Sequence, residues 1–349
     1  MEKCLLTKLE GVADNDNLHV LGAIDLQVVE LSTPTNSTQY ILATGGTIEV
    51  PSEHPISGAL LDNGTYKATI ADKYHLTQLS IDAAAHFKNE GLEALQYCTG
   101  LTLLGYRRDK NKVGDIAYLS NLTLLEKLYL QGTNISGDIA NLANMTSLIE
   151  LQIDDSNISG DIANLANMTA LKKLTLSNAK NIIGDIANLA NMTSLIELTM
   201  SNCENVSGDI SAFANMRDLT FLLCNGTSIS GNIESLGNLT SVTEFVLHKT
   251  NVTGTVEGFV EGQVAAGRTS CALPIHFHSL TSLAKFGGVK RETDPNIFNY
   301  ISWESTSKIV VYVGTNSGYN NATTVYAKGA TSEEISAWQS AGKTVVVIS

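Results

Sequence analysis

Ten residues, GDIANLANMT, begin at Gly137 and recur unchanged at Gly160 and Gly184. Looser copies start at Gly114 (GDIAYLSNLT), Gly208 (GDISAFANMR), Gly231 (GNIESLGNLT) and Gly254 (GTVEGF). Successive glycines are 23, 23, 24, 24, 23 and 23 residues apart. A fixed period in this range restricts the chain to a stacked repeat architecture, because so short a unit cannot close a core alone and must share one with its neighbours.

A second pattern runs in step with the first. Leu76-x-x-Leu79-x-Ile81 is followed by Leu101-x-x-Leu104-x-Tyr106, Leu125-x-x-Leu128-x-Leu130 and Leu148-x-x-Leu151-x-Ile153. Then come Leu171-x-x-Leu174-x-Leu176, Leu195-x-x-Leu198-x-Met200, Leu219-x-x-Leu222-x-Cys224 and Val242-x-x-Phe245-x-Leu247. Two apolar residues separated by one position share a face of a short strand, since the strand period is two. The other apolar positions of a unit (Ile135, Ile139, Leu142, Met145) recur at steps of three or four and fill a coil around the same core. Copies stacked about 4.8 Å apart join into a parallel sheet over a continuous apolar core.

On these residues, roughly 76–257, the chain resembles a leucine-rich-repeat (LRR) solenoid. The unit Leu-x-x-Leu-x-Leu, Ile-Ser-Gly-Asp-Ile, Leu-Ala-Asn-Met-Thr is similar to the plant-type subclass, with Ile233–Val242 (IESLGNLTSV) the nearest copy of its signature. The resemblance implies an α/β-type solenoid with a parallel sheet on the concave face and a short helical or irregular convex side. Two departures stand out. The asparagine that usually follows the strand is replaced by Thr133, Ser156, Thr227 and Thr250, and in the 24-residue units by Ala179 and Cys203. Hydroxyls are expected to replace the asparagine ladder in part. The proline after Gly-x-Ile is missing, which puts the second sheet of the subclass in question.

The ends carry no repeat. Residues 1–70 hold β-type runs (Leu21–Leu31, Gln39–Leu42, Thr47–Val50, Thr65–Ile70) between turn clusters, the pattern of a small β domain. The solenoid is assigned to 71–270, with Leu76–Ile81 as its first, less regular strand. Beyond it, Glu257–Gly267 predicts a short helix ended by glycine. Strands are expected at Ala272–Phe277, Tyr300–Trp303, Lys308–Val313, Thr324–Ala327 and Lys343–Ile348, with a helix opened by Thr331 and running to Ala341. Residues 271–349 are therefore expected to form a mixed β/α cap domain.

A net charge of −13 argues against a broad nucleic-acid surface, which needs a basic stripe. No 18 apolar residues run together, so no membrane span is expected. MEKCLLTKLEGVADNDNLHV lacks the apolar run of a secretory signal, so the chain is expected to stay where it is made. Five cysteines with no CxxC spacing do not form a disulfide framework; Cys98 and Cys224 occupy apolar repeat positions. Asn-x-Ser/Thr triplets are numerous only because the repeat generates them.

Asp115, Asp138, Asp161, Asp185 and Asp209 form a row that either caps the following turns or, less simply, recruits Ca²⁺. Asn232 and Thr255 continue the series without charge, which favours capping. His248, His276 and His278 would make a zinc site only if their strands matched in register and a further ligand were present; lone surface histidines are the simpler reading. No catalytic constellation, cofactor motif or metal set emerges, and an enzyme is not expected. The outward strand positions are the candidate binding surface: Arg107, Arg108, Tyr129, Phe221, Leu223 and His248, with Tyr129 and Phe221 as anchors. Lys127, Glu150, Lys173 and Glu197 alternate in sign across neighbouring strands, as a sheet-stabilising ladder would.

Lys3–Leu18 and Leu21–Leu26 resemble the N-terminus of virion proteins from bacteriophages of gut anaerobes, and Gly258–Arg268 resembles segments that follow LRRs in proteins of those bacteria and phages. The resemblance implies a non-enzymatic structural or attachment protein located in the virion. Residues 1–70 would contact other virion proteins, and the LRR array would project towards a host surface protein or glycan; oligomerisation is left open. The alternative is a secreted or surface-bound bacterial LRR adhesin.

Overall fold

The structure, a computed structural model, describes residues 92–108, 110, 112–247, 249–269, 307–314 and 322–348. It also describes strands Ile24–Leu31, Ile41–Thr44, Ile48–Glu49, Ala59–Leu60, Tyr66–Ile70, Gln78–Asp82, Ala85–Phe87, Cys271–His276 and Phe298–Ser305.

One coil of the repeat contains three short elements: a strand (Lys127–Tyr129), a second strand (Asn134–Asp138) and a 3₁₀ turn (Ile139–Leu142). Leu125, Leu128, Leu130, Ile135, Ile139, Leu142 and Met145 all have zero exposure. Each such side chain contributes about 1.5–3 kcal/mol through burial, and no coil could bury them without neighbours. The chain leaves the first strand through a left-handed corner. Arg108, Gly132, Asp155, Asn178, Asn202, Gly226 and Lys249 occupy this position, with φ between 53° and 70°. Gly, Asn and Asp visit that region readily, so five of the seven residues suit the corner.

Behind the corner the buried hydroxyls behave differently from a ladder. Thr133, Ser156, Thr227 and Thr250 each donate to the carbonyl three residues back, at 2.7, 2.7, 2.6 and 2.6 Å. They close their own coil's turn. In the 24-residue unit the Cys203 thiol instead donates to the Leu176 carbonyl of the preceding coil at 3.1 Å. Cys98, Cys203 and Cys224 are buried thiols outside any disulfide, and burial pushes the Cys224 thiol well above its ordinary pKa.

The second sheet is present, without the proline that marks it in the plant-type subclass. Parallel pairing joins Val113–Asp115 to Asn134–Asp138 and the latter to Asn157–Asp161; further on, Ile182–Asp185, Val206–Asp209, Ser228–Asn232 and Asn251–Thr253 pair in series. The reason is local: Ile135 is buried between exposed Asn134 and Ser136, a two-residue alternation that suits a strand.

The chain forms two compact units, residues 1–159 and 160–349. In the first, Gln78–Asp82 pairs in parallel with Leu103–Arg107, then Lys127–Tyr129 and Glu150–Gln152 follow. Gln78–Asp82 is thus the expected first strand, and Ile41–Thr44 pairs antiparallel on its other side. Ile24–Leu31, Ile48–Glu49, Ala59–Leu60, Tyr66–Ile70 and Ala85–Phe87 make a separate antiparallel sheet. The second unit carries Lys173–Thr175, Glu197–Thr199, Phe221–Leu223 and Glu244–Val246 in parallel. Cys271–His276 extends this sheet, and antiparallel strands Phe298–Ser305, Lys308–Gly314 and Ala322–Lys328 follow.

Helix α1 (Val256–Ala265) closes the last coil. Its Gln263, fully buried, donates to the Gly237 and Leu239 carbonyls at 3.0 and 3.1 Å and lies 3.4 Å from that of Leu236. Arg268 donates to Gln263 Oε1 at 3.1 Å and to the Val242 carbonyl at 3.0 Å. These groups satisfy carbonyls that a further coil would otherwise cover. Phe259 meets Phe245 edge to face at 5.6 Å. Helix α2 (Ser332–Ser340) starts in a full capping box between Thr331 and Glu334, and crosses back so that Thr344–Ile348 lies parallel to Ala322–Lys328. The fold is a leucine-rich-repeat solenoid with non-repeating ends.

Candidate binding face

The aspartate row is a row of caps. Asp115, Asp138, Asp161 and Asp185 each accept the backbone N–H two residues on at 2.8 Å, and Asp209 does so at 2.9 Å. Asn232 serves the same turn at 2.9 Å, and Thr255 caps α1 through Gly258 N at 2.9 Å. Among the described residues no group of three or more His, Cys, Asp or Glu is placed to hold a metal ion. The histidine register differs from the one a zinc site would need: His276 pairs with Val246, and His248 and His278 lie outside the described residues.

That leaves the outward positions of the first-sheet strands, each fixed by the inward leucine beside it. In the first unit, Arg107 lies over the Tyr129 ring, 4.1 Å from its centroid. Tyr129 donates its hydroxyl to Glu150 Oε2 at 2.7 Å, and Lys127 binds Glu150 Oε1 at 2.8 Å. Gln131 donates to Gln152 Oε1 at 3.1 Å. Burial first, then the hydrogen bond to Glu150, hold the Tyr129 phenol above its ordinary pKa. Among the described residues, the Nε of Arg107 and the Oε1 of Gln131 are buried without a hydrogen-bond partner. Tyr129 is only 5% exposed, so it braces the sheet beneath Arg107 instead of standing out as an anchor. Arg108 is exposed but sits in the corner past the strand end, with φ 59°.

In the second unit, Lys173 binds Glu197 at 2.7 Å, the second expected pair of the charge ladder. Ser177 donates to Thr199 Oγ1 at 3.3 Å, and Ser201 to Asn225 Oδ1 at 2.7 Å. Phe221 is 41% exposed and Leu223 half-buried, on one strand between Glu197–Thr199 and Glu244–Val246. The structure thus brings Arg107 to Tyr129 in one unit and Phe221 to Leu223 in the other. Sequence reasoning missed Gln263, whose mid-helix amide carried no signal of burial, and Glu234, which accepts both Thr255 N and Oγ1 at 2.9 and 2.7 Å.

No protein-family model and no curated protein matches the chain. Solved structures similar to it include the plant peptide hormone receptor RGFR1 in complex with RGF2, 23% identical over 53% of this chain and 29% of that one, TM-score 0.42. The LRR ectodomain of the receptor kinase GASSHO1/SCHENGEN3 from Arabidopsis thaliana is 24% identical over 49% of this chain and 24% of that one, TM-score 0.41. Internalin C2 from Listeria monocytogenes is 23% identical over 61% of this chain and 83% of that one, TM-score 0.44. The chain spans less than a third of the length of either plant receptor.

Proposed function

We propose that this chain is a non-enzymatic binding protein that offers the outward face of its repeat strands to a protein or glycan. One observation carries the reading. The inward residues Leu128, Leu151, Leu174, Leu198, Leu222 and Phe245 are all fully buried, whereas the outward row changes character from coil to coil and leaves Phe221 exposed. A face whose residues vary over a constant core is where partners are met without disturbing the fold.

We further propose that the protein serves as an attachment protein of a bacteriophage particle, with residues 1–70 contacting other particle proteins. The resemblance of Lys3–Leu18 and Leu21–Leu26 to phage virion proteins supports this, and buried thiols outside any disulfide at Cys98, Cys203 and Cys224 suit assembly in a reducing compartment. Mass spectrometry of purified virions tests it. The intact chain at a fixed ratio to the major particle proteins is expected; recovery only from the bacterial surface or medium would replace this reading with the adhesin.

A further inference from the structure

The outward row has a fault in its charge pattern. Lys127 is paired with Glu150 and Lys173 with Glu197. Where the next lysine would stand the chain has Phe221, whose register partners are Glu197 on one side and Glu244 on the other. Glu197 already holds Lys173, but the Glu244 carboxylate has no ion-pair or hydrogen-bond partner among the described residues. Two positions along the strand, Leu223 is half-buried, and its register partner Val246 is buried. No other repeat strand places apolar side chains at both of these outward positions. Of the large apolar side chains more than about a third exposed among the described residues, Phe221 is the one on a repeat strand of the first sheet; Val113 and Ile183 stand on strands of the second.

We infer that Phe221, Leu223 and Glu244 form a docking site for an extended protein segment that carries a lysine or arginine two residues from an aliphatic or aromatic side chain. The inference rests on the reading of this face as a protein-binding surface and names the partner's chemistry. The cation supplies the charge that the row lacks. It lies over the Phe221 ring, where the quadrupole attracts it, and reaches the Glu244 carboxylate about 4.8 Å across the sheet. The apolar side chain falls on Leu223, about 6.7 Å along the strand, which is the two-residue spacing of an extended peptide. The match is also one of charge, because a chain with net charge −13 draws a basic segment.

Selection of a random-peptide display library on the full chain tests the site, with Phe221→Lys and Glu244→Lys as comparison proteins. Phe221→Lys restores the alternation of the row, so it is expected to fold, and the urea midpoint of each variant verifies this; Phe221→Ala and Glu244→Gln serve if either fails. The expected result is enrichment of peptides with Lys or Arg two residues from an apolar residue, binding each variant at least about tenfold more weakly. Acidic or uncharged motifs, or binding undiminished by the variants, would overturn the inference. Self-association of the wild-type chain that Phe221→Lys abolishes would overturn it too, by making a second copy the occupant. Peptides that respond only to Arg107→Ala would sink this site yet leave the binding-face reading standing. Peptides insensitive to every outward substitution, or no enrichment at all, would sink both.

Discussion

The carboxylate of Asp185 stands where a Cβ on Gly208 would have to go. Gly208 has φ +123°, a region L side chains rarely adopt, and the Ile186 Cγ1 lies 2.8 Å from the same point. Asp161 stands in the same relation to Gly184, and Asp209 to Gly231. Each of these Gly-Asp pairs is therefore a lock between coils: the aspartate caps its own turn and fills the notch that the next coil's glycine leaves open.

Gly208→Ala is expected to destabilise the fold by about 1–3 kcal/mol, from backbone strain together with the clash. Urea unfolding measures it. A loss below about 0.5 kcal/mol would mean that the notch is not needed.

Asp209→Ala removes a cap and is expected to cost about 1 kcal/mol, while Asp209→Asn costs a few tenths, since Asn232 already fills that role naturally. The Ser211 hydroxyl and N–H hold the Asp209 carboxyl below its usual pKa, and the Thr255 hydroxyl does the same for Glu234. A depressed carboxyl contributes stability that is present above its unfolded pKa and lost as pH falls through the folded one. Urea midpoints should therefore fall below about pH 4, and less steeply in Asp209→Asn. An unchanged slope would contradict the cap's ionic character.

Gln263→Leu leaves the Gly237 and Leu239 carbonyls without the donor that α1 supplies. It is expected to cost about 2 kcal/mol and to speed proteolysis between Asn251 and Arg268. A neutral result would show that α1 does not seal the last coil.

Tyr129 should resist ionisation. Its folded pKa is raised by burial and by Glu150, so this stabilising contribution is complete below the ordinary phenol pKa and is lost as pH rises through the folded value. Spectrophotometric titration of wild type against Tyr129→Phe should show this phenol ionising only as the chain unfolds. Ionisation of this phenol in the folded chain would contradict its burial.

The repeat register was legible because LxxLxL places Leu128 inward and its neighbours outward by strand period alone. One helix announced itself through its closing Gly267 and the other through Thr331 as a cap. The second sheet was obscured by attention to a missing proline, although the alternation of Asn134, Ile135 and Ser136 already carried it. Tyr129 could not be read as buried, because what covers it, Arg107 and Glu150, lies about one repeat away on either side in sequence. The same holds for Gln263, whose partners at Gly237 and Leu239 come from the preceding coil. Periodicity reports what each residue faces within its own coil; contacts between coils at polar positions need coordinates.

On the proposed reading, the Gly-Asp-Ile coil is an interchangeable spacer and specificity lies on the outward strand positions. Deletion of residues 184–207 tests it most directly. The cut joins Ile183 to Gly208, removes one whole coil, sets Gly208 against Asp161 as Gly184 is now, and keeps Phe221 beside Glu244. The expected result is a cooperatively folded chain with a smaller denaturant slope, in proportion to the lost buried area, that still binds peptides selected on the full chain. A chain that fails to fold, or that folds and no longer binds them, would contradict it.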